Sequence, residues 1–201
     1  MDNDTLDTRN KILQTAMNIV GRKGEVTIRE ITEEAGVNVA AINYYFGNKS
    51  NLLKEVENYY SDLLYGMQYE ILVNEKLTPK EKLSYWAKNL IEFMFKFPAL
   101  IMLIVNLSNE DKHYNPILIQ KIYLNKEFQH MIEDIIKQGT GLEDKKLLSF
   151  KYMQVFSGIL GLVVGRVVAN TFGEGESTFD ITAPEEIEEY IDLIVNSILT
   201  K

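Results

Sequence analysis

Between Glu33 and Lys49 the sequence reads EEAGVNVAAINYYFGNK, and Asn43, Tyr44 and Tyr45 crowd a single helical turn. An apolar core helix has no use for that many hydrogen-bonding tips in one place. A carboxamide can pair bidentately with an adenine edge, and tyrosine hydroxyls and a lysine ammonium reach phosphate oxygens. Val39, Ala40 and Ala41 just before them are small enough to bring a helix end close to another surface. Asn38 is a natural N-cap there, leaving the first-turn N–H groups and the positive dipole end facing an anion.

No comparable constellation exists for catalysis. The chain has two histidines, His113 and His130, and no cysteine, so neither a disulfide framework nor a thiolate zinc site is available. Neither histidine sits in a nucleophile elbow, a phosphate-cradling loop or a metal-spaced helical motif. Glu110, Asp111 and His113 can be read as ligands for a divalent metal or as an exposed loop before Pro116. We expect no enzyme, no cofactor and no metal.

The elements that must position Asn43 and its neighbours are helices. Helical periodicity runs through nearly every segment, and no run of alternating β-branched residues is present. A first helix is expected from an N-cap at Thr8, with Ile12, Leu13, Ala16, Ile19 and Val20 on one face and Gly24 at its end. Thr27-Ile28-Arg29-Glu30 is a capping box opening a second helix, which ends at Ala35-Gly36. Gly36-Val37 makes a tight turn into the third helix, and Asn48 caps a long fourth reaching Val73. Prolines at 79, 98, 116 and 184 mark further starts, giving helices near 79–96, 98–108, 116–138, 143–172 and 185–199. Gly173 to Ser177 reads as a flexible loop.

Composition sets bounds rather than a function. Of 201 residues, 46% are hydrophobic and 25% charged, as in ordinary soluble domains. The formal charge is −8, with seven Lys/Arg against nine Asp/Glu in residues 1–60, so the N-terminal part is only less acidic than the rest. The uncharged run Tyr152–Gly165 is shorter than the roughly 17–25 residues of a membrane span, and the N-terminus is too polar for a secretory signal. We therefore expect a cytoplasmic protein without membrane contact.

The second and third helices form a helix-turn-helix. The stretch TIREITEEAGVNVAAINYYFGNKSNLL resembles the DNA-binding region of the TetR/AcrR family of transcriptional regulators. The resemblance rests on Thr27, Ala35-Gly36-Val37, Asn38, Ala40, Tyr45-Phe46, Asn48-Lys49 and Leu52-Leu53, and spans residues 8–55. The chain departs from the family pattern at Asn38, Val39, Asn43 and Ser50. What the resemblance implies is an all-α fold, with a helix-turn-helix DNA-binding domain in residues 1–50 and an effector-binding and dimerisation domain in 51–201. Thr27 and Arg29 would contact phosphate. Asn38, Val39, Ala40, Ala41, Asn43 and Tyr44 would enter the major groove, while Tyr45 and Lys49 would clamp the backbone. For Tyr44 and Tyr45 the alternative is core packing, and for Thr27 a purely structural cap.

The implied partners are a double-stranded palindromic operator, a second copy of the chain and a small apolar or amphipathic effector that releases a repressor. Large apolar side chains of the body, Trp86, Phe93, Met102, Tyr123, Met131, Tyr152 and Phe156, are candidates to line an effector pocket, with Asn89 and Asn106 as polar fixers. Plain core accounts for most of them, leaving a minority to line a pocket. Ser157, Gly161, Gly165 and Ala169 make a small-residue stripe, and Ile187, Ile191, Ile194 and Ile198 an apolar one. Both fit either a dimer interface or packing within one chain. Two other functions stay open: an architectural DNA-binding protein without a small-molecule switch, and an all-helical enzyme.

Overall fold

The computed structural model describes residues 3–23, 26–172, 181 and 183–200. Among these, every regular element is helical: α1 (Asn3–Lys23), α2 (Ile28–Ala35), α3 (Val39–Phe46), α4 (Lys49–Val73), α5 (Pro79–Lys96), α6 (Ala99–Glu110), α7 (Lys126–Thr140), α8 (Lys145–Phe172) and α9 (Pro184–Leu199). A π-helical turn, Ile119–Tyr123, precedes α7. The all-α expectation is met. Gly24 and the loop at 173–177 lie outside the described residues.

Two boundaries differ from those expected. Helix α1 begins at Asn3, so Thr8 lies inside it rather than capping it. The helix expected over 116–138 is interrupted: Leu124 leaves helical geometry, and Asn125 caps α7 afresh by accepting the N–H groups of Glu127 and Phe128 at 3.0 and 3.2 Å. An Asn in the cap position offers the backbone a competing acceptor, which is how it ends one helix and starts another.

The chain forms two compact units, one of Met1–Leu63 with Lys96–Leu124 and the other of Leu64–Phe95 with Asn125–Lys201. The core of unit 1 joins Ile12, Ala16 and Ile19 of α1 to Ile31, Ile42, Leu52 and Val56 of the next three helices and to Leu103 and Leu107 of α6. Leu13 is only half-buried. Tyr60 donates its hydroxyl to the Met17 carbonyl at 3.0 Å, and a Cβ on Gly21 would stand 2.9 Å from that hydroxyl oxygen. Glycine inside α1 therefore has a packing reason that offsets its poor helix propensity.

A buried carboxylate organises the other side of unit 1. Glu57 on α4 is fully buried and accepts from the Tyr114 hydroxyl (2.7 Å), the Leu118 N–H (2.7 Å), the Ile117 N–H (3.3 Å) and the Ser61 hydroxyl (3.2 Å). It caps, from a distant point in the sequence, the helical segment that Pro116 starts. Burial, and then the hydrogen bond to Glu57, push the Tyr114 phenol far above its ordinary range. Beside it, Lys54 pairs with Asp111 at 2.9 Å and lies over the Tyr114 ring. Asp111 also accepts the His113 N–H, so its carboxylate is spent on structure.

In unit 2, α7, α8 and α9 pack on one another. Buried Val155, Ile159 and Leu162 of α8 and Ile187, Ile191, Val195 and Ile198 of α9 supply much of its core. Gly158 is the close-approach point: a Cβ there would stand 2.8 Å from Ile194 Cδ1, and the Gly158 carbonyl accepts from the Tyr190 hydroxyl at 2.9 Å. Lys151 donates to the carbonyls of Ile198 and Thr200, satisfying orphan acceptors at the end of α9. Within Lys145–Ala169 an 18-residue stretch reaches a mean hydropathy of 1.6, enough by length and composition alone to cross a membrane. That stretch is longer than the uncharged run Tyr152–Gly165 because it admits up to two charges.

Candidate nucleic-acid interface

Helix α2 starts where its capping box places it. The Thr27 hydroxyl accepts the Glu30 N–H at 3.2 Å, and the Glu30 carboxylate accepts the Thr27 N–H at 2.8 Å. At the other end Gly36 adopts φ 64°, its N–H reaching the Glu33 carbonyl while the Val37 N–H reaches that of Thr32. This paired closure needs a left-handed residue, which glycine supplies at little cost. Asn38 then caps α3, accepting the Ala41 N–H at 3.0 Å. Asn48 does the same for α4 through the Asn51 N–H at 2.8 Å. Gly47, at φ 79°, makes the turn between them.

These caps fix which face of α3 is outward. Ile42 and Phe46 are buried, with the Arg9 guanidinium 4.9 Å above the Phe46 ring and bonded to both Glu55 carboxylate oxygens. The opposite face presents Val39, Ala40, Asn43 and Tyr44 to solvent, Tyr44 at 76% exposure. Ala41 and Tyr45 are half-buried, and the two tyrosine rings meet edge to face at 4.9 Å. An exposed Tyr44 is not packed in the core, whereas Tyr45 is partly so.

The flanking residues are arranged around this face with varying freedom. Thr27 is exposed but commits its hydroxyl to the cap, donating it to the Glu30 carboxylate at 3.0 Å. Arg29 is 85% exposed and paired with Glu33 at 2.7 Å along the same helix, an interaction worth about 0.5 kcal/mol at most in such a setting. Lys49 begins α4 half-buried.

The residues expected to line an effector pocket fall in both units. In unit 2, Trp86, Phe93, Tyr152 and Phe156 are buried, with the Phe156 ring 6.2 Å from Trp86 and 5.7 Å from Tyr152. Asn89 is half-buried and accepts from Gln68 at 2.6 Å, and Met131 is half-buried. In unit 1, Met102 and Tyr123 are exposed, while Asn106 lines a cavity of about 760 Å³ with Thr27 and Lys49.

Of the expected dimer residues, Ser157 and Gly161 are exposed and Gly165 and Ala169 half-buried. Exposed Met153, Leu160, Val164 and Val168 share their face of α8, a signal that attention to small residues alone overlooks. Ile187, Ile191 and Ile198 are buried inside unit 2, where α9 packs with the chain's own α7 and α8. Ile194 is half-buried against Gly158.

Residues 12–56 match the family model described as bacterial regulatory proteins, tetR family. No curated protein matches the sequence. Among solved structures, a putative TetR-family transcriptional regulator from Mesorhizobium loti is similar at 17% identity over 98% of both chains, with a TM-score of 0.68. The TetR-family regulator PfmR from Thermus thermophilus is 18% identical over 92% of this chain and 97% of its own, with a TM-score of 0.60. The ketosteroid transcriptional regulator KstR2 of Mycobacterium tuberculosis is 17% identical over 94% and 93%, with a TM-score of 0.61. Residues 12–56 thus carry a helix-turn-helix segment of the tetR family type, and the chain as a whole has the fold of these solved regulators.

Proposed function

We propose that a cytoplasmic homodimer of this chain binds a palindromic operator, represses transcription from it, and is released by a small apolar or amphipathic effector. The observation that carries the DNA reading is the outward face of α3, where Val39, Ala40, Asn43 and Tyr44 stand exposed on a helix anchored by Ile42 and Phe46. Residues 1–50 would read DNA and 51–201 would hold the effector and the partner. Two heads related by a two-fold axis read half-sites about one helical turn apart. The exposed stripe of Met153, Leu160, Val164 and Val168, next to Gly161 with open space beside it, supports close pairing of α8 with its copy.

The effector reading is supported by the ring cluster around Trp86 and by Gln68. That side chain is fully buried, yet its Oε1 has no hydrogen-bond partner among the described residues. An effector N–H or O–H would satisfy it. To act as an inducer, the molecule must bind the DNA-incompetent conformation more tightly than the competent one.

The test is selection of bound sequences from a random duplex library, with and without cell metabolites. A palindromic consensus lost on adding a metabolite is the expected result, and a bound pool without any consensus overturns the reading. Two substitutions refine it. Lys49→Ala should weaken binding evenly across sequences and lower the slope of log affinity against log salt by about 1; an unchanged slope removes Lys49 from the phosphate contacts. Asn43→Ala should relax base preference at one position in each half-site, at roughly 1–3 kcal/mol of discrimination. The same selection, run on the variant, reads that position directly.

A further inference from the structure

The cavity of about 760 Å³ in unit 1 lies beside the helix-turn-helix, between the start of α4 and one side of α6. Its volume is within the roughly 300–1,000 Å³ usual for small-molecule sites. Leu53, Leu103 and Leu107 form an apolar wall. Facing the same space are Lys49, Asn106, Asn109 and Glu110, whose side chains make no hydrogen bond or ion pair among the described residues. A second carboxylate, Glu30, is held in its capping box at the edge.

This lining discriminates between ligand classes. A hydrocarbon would cover four polar groups without satisfying them, which is costly. A simple carboxylate would suit Lys49 but meet Glu30 and Glu110; a simple amine would suit the acids but meet Lys49. We infer that the cavity takes a zwitterion of amino-acid type with an apolar side group. Its carboxylate pairs with Lys49, its ammonium with Glu110, and its side group packs on Leu53, Leu103 and Leu107. Asn106 and Asn109 supply donors and acceptors for both charged ends.

The regulatory consequence rests on the DNA reading above, in which Lys49 faces phosphate. Ligand and phosphate then compete for one ammonium, so the amino acid weakens operator binding at the head itself, separately from any effector in unit 2.

Isothermal titration of the full chain with L-phenylalanine, 3-phenylpropanoate and phenethylamine tests the site. Saturable binding of L-phenylalanine is expected, with each half-analogue at least about tenfold weaker, since each forfeits one charge pair. Glu110→Gln and Asn106→Leu should each weaken L-phenylalanine by about tenfold. On the unaltered protein, methyl resonances of Leu53, Leu103 and Leu107 should shift on titration, a readout independent of any variant. Absence of saturable L-phenylalanine binding, equal binding of either half-analogue, or affinity indifferent to both substitutions overturns the site. In a second arm, L-phenylalanine should lower affinity for the selected DNA consensus. Binding of the amino acid with DNA affinity unchanged overturns the competition at Lys49 alone, and failure to obtain any consensus overturns the DNA reading alone.

Discussion

Replacing Glu57 with alanine should destabilise the protein by about 3–4 kcal/mol, a large share of the 5–15 kcal/mol typical of a folded domain. The carboxylate is the common acceptor for the Tyr114 hydroxyl and the N–H groups of Ile117 and Leu118. Removing it leaves three donors with no acceptor where water has little access, each at roughly 1–3 kcal/mol. Relief of the carboxylate's own desolvation offsets part of that sum. Glu57→Gln should cost less, because one carboxamide oxygen still accepts, but it also points an NH₂ group at donors. Urea unfolding followed by circular dichroism measures both. A loss below about 1 kcal/mol for the alanine variant would mean that the 111–118 segment rehydrates instead of remaining in place.

The second large effect separates recognition from folding. Ala40→Glu should leave thermal stability nearly unchanged, since Ala40 is exposed on α3 and glutamate is a good helix former. Operator affinity should nevertheless fall by roughly a hundredfold or more, because like charges brought together at an interface cost several kcal/mol. Fluorescence anisotropy with the selected operator, alongside a melting curve, gives both numbers. Retained affinity would show that α3 does not enter the groove by this face. A parallel Ala40→Gln variant distinguishes charge from bulk.

The parts of the head that were legible in the sequence are those whose physics is local. Thr27 and Glu30 are three residues apart, Gly36 sits at a helix end, and Asn38 and Asn48 precede their helices. In each case the side chain that answers a backbone group is a near neighbour, so the pattern alone carries the geometry. Gly47 has the same local character, but following an aromatic pair it attracts less notice than Gly36. What stayed hidden was non-local. Nothing near Glu57 in the sequence announces that Tyr114 and Leu118 will converge on it. Gly158 matters because of Ile194, whereas the glycines at 161 and 165 are marked in the sequence only by their spacing. The isoleucine stripe of α9 was visible, but a stripe does not say whether it faces the same chain or another. Asn106 reads from the sequence as a ligand-facing amide, yet its company with Lys49 and Thr27 depends on how α6 meets the helix-turn-helix.

The apolar stripe on α8 has a consequence for how much protein a cell must hold. If Met153, Leu160, Val164 and Val168 pair with a second copy, the amount of dimer at low abundance rises with the square of monomer concentration. Operator occupancy then responds more steeply than linearly to synthesis and turnover, and the melting temperature depends on protein concentration by mass action. A regulator built this way meters its own dose, and a modest loss of stability anywhere in the chain would be amplified into a larger loss of bound operator.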